Sequence, residues 1–171
     1  MLSIVVSALV VILNFILQST LIQLIEIRGI VPEIMIIVVV SYALLRGQFA
    51  GAMTGFFGGL LYDVIFGDAI GFHALMYMLI GYFCGISHKS FYRENFILPI
   101  TFSVIANFIT GALIYVTSFL LRNNYDVIYF LFNVIIPQCV YTGVVAIVVY
   151  RILYSINNKV EKKEREKRKL F

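Results

Sequence analysis

The residues whose types could carry chemistry lie close together in the chain: Asp63, Asp68 and His73. A histidine with two carboxylates is the raw material of a metal site or a proton relay. Their spacing does not match the patterns that focus such groups on one reacting atom. There is no HExxH, no paired catalytic carboxylate spacing and no serine elbow. Intramembrane proteolysis would need one of those signatures, or paired aspartates in separate spans, and these are absent from the sequence. The plain reading of His73 is a structural residue beside a helix start. Asp63 closes an apolar stretch, where a carboxylate is either a functional group or a cap at the membrane interface, and the residues leave both open. Cys84 and Cys139 fall inside apolar stretches and read as packing residues. We therefore expect no enzyme activity, no metal and no cofactor.

Amides form a second set. Asn14 with Gln18, Asn107, and Asn133 with Gln138 sit inside three different apolar stretches. Such side chains hydrogen-bond across helices for roughly 0.6 kcal/mol each, or line a substrate pocket. Cohesion is the better reading, because no stretch joins the amides to a buried charge or an unwound break.

The elements that must position these groups follow from composition. The chain has 171 residues, 61% hydrophobic and 13% charged, with mean hydropathy +0.98. Soluble domains carry about 25% charged residues, so this is an all-α integral membrane protein. Spans of about 20 residues divide it into a bundle of about six transmembrane helices with short loops, leaving no room for a sizeable domain outside the bilayer. The expected spans are residues 2–25, 31–45, 48–66, 72–87, 96–121 and 127–154. The second is short, opens with Pro32 in its first turn, and leaves five spans possible if it is re-entrant. The first lacks a basic start and a cleavage site and reads as a retained helix. Pro137 should kink the last. Residues 1–156 form one polytopic domain and 157–171 a basic tail.

The net charge of +4 does not point to nucleic acid, because seven of the thirteen basic residues crowd into the tail from Lys159 to Lys169. Six spans would put eleven basic residues on one face and only Arg28 and Arg122 on the other, which places both termini in the cytoplasm. Glu161 with Arg165, and Glu164 with Arg168, are acid-then-base pairs four apart that support a helix running on from the last span. The tail's basic side chains also suit anionic lipid.

The stretch with the strongest spacing is GQFAGAMTGFFGGLLYD. Gly47, Gly51, Gly55 and Gly59 recur every fourth residue with Gly58 beside them, and Asp63 takes the next step. Residues four apart stack along one side of a helix, so these glycines make a groove. In water repeated glycine would argue against a helix; in lipid it lets another helix approach closely. Gly81 and Gly85 form a second such pair.

These residues carry a resemblance. The run Val31-Pro32-Glu33, the turn Arg46-Gly47, Gly55-Phe56-Phe57-Gly58-Gly59-Leu60-Leu61-Tyr62-Asp63, Gly71-Phe72-His73-Ala74-Leu75 and Gly81-Tyr82 resemble the MreD family of bacterial rod shape-determining membrane proteins. The motifs cover about a third of the chain, with Glu33 where the family more usually has aspartate. The resemblance implies a non-enzymatic subunit of the cell-elongation machinery in the cytoplasmic membrane. It implies MreC as main partner, with a transmembrane helix that could occupy a glycine groove, and RodA, a class B penicillin-binding protein and MreB as more distant ones. It also implies an architecture similar to the substrate-binding subunits of energy-coupling-factor transporters. The alternative is therefore a small-molecule-binding subunit of such an importer, which would need a polar pocket open to the outside.

Overall fold

The computed structural model describes Ile12, Ile16 and residues 30–66, 71–90, 97–122 and 127–169. The expected first span with Asn14 and Gln18, Asp68, and the expected loops at 91–95 and 123–126 lie outside the described residues. The remainder is helical: α1 (Ile34–Arg46), α2 (Gln48–Phe66), α3 (Phe72–Ile86), α4 (Ile97–Arg122), the short α5 (Val127–Phe130) and the long α6 (Ile136–Lys169). A 3-10 turn, Ser87–Ser90, follows α3, and a π-helical stretch, Leu131–Ile135, joins α5 to α6.

The short second helix is the centre of the molecule. Every residue of α1 from Ile34 to Leu45 is buried, and α1 packs against α2, α3, α4 and α6. Its run IMIIVVVSYALL is apolar on all sides, as a helix without a solvent or lipid face must be. Ser41 does not break the pattern, because its Oγ donates to the Ile37 carbonyl at 2.6 Å. At 13 residues α1 is about 20 Å long, against about 30 Å of hydrocarbon. It begins inside the bundle. The Glu33 N–H meets Thr142 Oγ1, eleven residues into the apolar stretch Leu131–Val160, while at the other end Arg46 Nε donates to Asn157 Oδ1 at 2.7 Å. The expectation of a second span over residues 31–45 is thus corrected to a core helix with a recessed start. Pro32 lies before the helix, where its carbonyl accepts the Ile34 N–H.

Three helices among the described residues are long and apolar enough to cross a membrane: Gln48–Phe66, Ile97–Thr117 and Leu131–Val160. The 13-residue α1 and 15-residue α3 are shorter apolar helices packed with them. Large side chains such as Phe49, Phe57, Phe83 and Val140 are exposed, which suits a protein solvated by lipid.

At Pro137, where a kink is expected, the helix changes type. Proline cannot donate to the residue four before it, and the backbone widens into the π turn directly ahead of it. The extra residue per turn rotates the faces out of register. Asn133, expected inside with Gln138, is exposed. After Pro137 the helix runs unbroken through Lys169.

Candidate functional site

A single residue, Gly47, joins α1 to α2. Its φ of 94° is a left-handed conformation that turns the chain back on itself, and its N–H bonds the Ala43 carbonyl at 2.8 Å. Gly47 is thus a turn residue rather than part of the groove. The groove proper is filled by this chain. A Cβ on Gly55 would collide with the Tyr77 carbonyl, one on Gly81 with the Gly51 carbonyl, and one on Gly85 with Gln48 backbone; all of these belong to the α2–α3 contact. A Cβ on Gly59 would lie 2.5 Å from Ala74 Cα and from the His73 carbonyl oxygen. Gly58 faces α1, where the end of Met35 occupies the space. Of the two occupants the glycine spacing allows, a partner's helix or one of the chain's own, α3 is the one that sits in this groove.

That close contact places Asp63, on the last turn but one of α2, against the start of α3. Asp63 Oδ2 accepts the N–H groups of Gly71 (2.9 Å) and Ala74 (3.1 Å), and Oδ1 accepts the N–H of His73 (3.1 Å) and contacts His73 Nδ1 at 2.7 Å. The first N–H groups of a helix have no partner within it, and Asp63 supplies one from a neighbouring helix. A carboxylate has about four acceptor positions, and these four contacts take them up. Asp63 is buried, and the His73 side chain is 15% exposed. The choice between functional carboxylate and cap comes out as a cap, for the next helix rather than its own. Among the described residues the pair has no third ligand for a metal. The His73 ring packs against Tyr62 (4.7 Å between centroids), Phe72 (5.4 Å) and Tyr77 (5.7 Å).

One turn further along α3, Tyr77 Oη donates to Glu33 Oε1 at 2.6 Å, at the start of α1. Thr142 Oγ1 accepts both the Glu33 N–H at 3.3 Å and Asn107 Nδ2 at 3.0 Å. Asn107 therefore joins α4 to α6 as expected of a cohesive amide, but also to the start of α1. The result is one buried polar layer, Glu33, Tyr77, Asn107 and Thr142, drawn from α3, α4, α6 and the residue ahead of α1. Asn107 Oδ1 and, one turn away on α4, Ser103 Oγ are buried without a hydrogen-bond partner among the described residues.

Sequence reasoning singled out Asp63, His73 and Asn107 but gave Glu33, Tyr77 and Thr142 no site role. Tyr77 had a signal, standing four residues after His73 on the same helix face. Thr142, a lone hydroxyl 35 residues from Asn107, had none.

A sequence family described as rod shape-determining protein MreD matches residues 1–160. The chain belongs to the MreD family. No curated protein and no solved structure matches it. The MreD assignment agrees with the apolar helices in making this a membrane protein. In this MreD chain the paired motifs of the resemblance, GFFGGLLYD and GFHAL, are the two sides of the α2–α3 contact and its Asp63 cap.

Proposed function

We propose that this protein is a non-enzymatic membrane scaffold of the cell-elongation machinery, acting in rod shape and peptidoglycan synthesis by binding MreC through helix packing. The observation that carries the reading is the MreD family match over nearly the whole chain. The geometry supports a rigid platform: α1 is locked on all sides, Asp63 is spent as a cap, and α3 fills the glycine groove. The seat for MreC then has to be another surface. Between α4 and α6 runs an open groove of about 580 Å³, lined entirely by apolar or small residues including Val104, Phe108, Val140 and Gly143. Both helices are of span length, so a single transmembrane helix can lie along the groove. An importer would instead present polar groups to a small molecule, and this lining suits a helix.

We further propose a multi-pass arrangement in which α1 and the chain ahead of it together make the second of six crossings, with both termini in the cytoplasm, supported by the eleven-to-two division of basic residues. RodA, a class B penicillin-binding protein and MreB complete the proposed assembly, with the basic end of α6 against anionic lipid.

The test is purification of the tagged protein from its own cells in mild detergent, with MreC sought among co-purifying proteins. Val140→Trp with Val144→Trp should fill the groove and remove MreC while leaving the melting temperature unchanged. MreC retained by that variant sinks the groove assignment; an ATPase pair in place of MreC sinks the scaffold. A cysteine at position 124 should react with reagent outside intact cells and one at position 91 should not; the reverse overturns the orientation.

A further inference from the structure

We propose that the polar layer at the recessed start of α1 is a binding site for one monovalent cation of sodium's size, held by the Glu33 carboxylate and the Asn107 side-chain oxygen. The two residues meet at one atom. Thr142 Oγ1 takes the Glu33 N–H and Asn107 Nδ2, so the backbone of Glu33 and the Asn107 amide lie within the combined length of two hydrogen bonds.

Asn107 is 1% exposed, yet its second polar atom has no partner among the described residues. Whichever way the amide is turned, a single contact to Thr142 leaves one of its two polar ends unpaired. Leaving such a group unmatched in a dry interior is costly, and polar layers of this kind are ordinarily completed. Ser103 Oγ, fully buried on the same α4 face, is a second unpaired oxygen.

The charge argument runs the same way. Glu33 is 7% exposed and, among the described residues, has no ion-pair partner; His73 is already engaged by Asp63. One tyrosine hydroxyl does not balance a buried carboxylate, and the partial positive charge at the start of α1 offsets only part of it. A single positive charge makes the layer neutral, whereas a divalent ion would leave an excess. The available donors are all oxygens, from carboxylate, amide and hydroxyl, which suit a hard ion rather than a transition metal.

The experiment uses the full-length protein in detergent. Its melting temperature is followed against NaCl, with choline chloride holding ionic strength constant, at several pH values and again with KCl. A ligand that binds only the folded state raises the melting temperature with its concentration. The expected result is a rise with sodium that potassium reproduces weakly and choline not at all. Glu33→Gln keeps an acceptor for Tyr77 Oη and should abolish the sodium response. Asn107→Ser, a milder change on α4, should weaken sodium's effect at least tenfold in concentration, which keeps the test alive if Glu33→Gln does not fold. Identical curves in sodium and choline overturn the proposal. So does a pH dependence without ion preference, which would make the occupant a proton, or a sodium response that survives in Glu33→Gln or is unweakened in Asn107→Ser. Co-purification of MreC is a separate readout, so this idea and the scaffold reading fail independently.

Discussion

Gly59→Ala adds one methyl group where the backbones of α2 and α3 are in close contact. The new Cβ would lie 2.5 Å from both Ala74 Cα and the His73 carbonyl oxygen, and ordinary contact begins near 3.4 Å. Neither atom belongs to a side chain that can swing aside, so α2 and α3 must part by roughly 0.9 Å, an overpacking that costs about 1–3 kcal/mol. The displaced backbone is the one whose N–H groups reach Asp63 at 3.1 Å, and the same shift stretches those bonds past useful length. Losing a helix cap costs a further ~0.5–2 kcal/mol. Alanine's better helix propensity returns about 1 kcal/mol. The net is a loss of roughly 0.5–4 kcal/mol. Gly58→Ala is the matched control: its Cβ meets only the end of the flexible Met35 side chain, so the loss should be smaller. Thermal unfolding in detergent, with MreC co-purification measured on the same preparations, reads both. If Gly59→Ala melts like the wild type while MreC is lost, the groove faces a partner and the packing described above is wrong.

Asp63→Asn turns one acceptor oxygen into a donor facing N–H groups, so stability should fall by about 1–3 kcal/mol, and an unchanged melting temperature would contradict the cap. Gly47→Ala has open space around it, with His88 the nearest group at 3.6 Å, but forces alanine to a φ of 94°; the expected loss is about 1–2 kcal/mol, and no loss would mean that the turn relaxes freely. Removing residues 162–171 should reduce binding to vesicles containing anionic lipid and leave MreC co-purification intact; loss of MreC with normal insertion would make the tail a docking site.

Membrane residence, helical architecture and the close approach along Gly51, Gly55 and Gly59 were legible in the chain, because hydropathy and four-residue spacing are local properties of sequence. The partner in that approach was not. A small-residue face states that a backbone comes near and is silent on whose, and only the turn through Gly71 at φ 99° decided that it is the chain's own α3. Asp63 reads equally well as a functional carboxylate or as a cap until the N–H groups eight to eleven residues later are seen to converge on it. The burial of α1 likewise came from tertiary structure: an apolar run of 13 residues fits a thin span or a core helix, and its neighbours α2, α3, α4 and α6 made it the second. Glu33 shows the limit most sharply. It sits beside a proline at a helix start, and it is buried because hydroxyls 44 and 109 residues away fold against it.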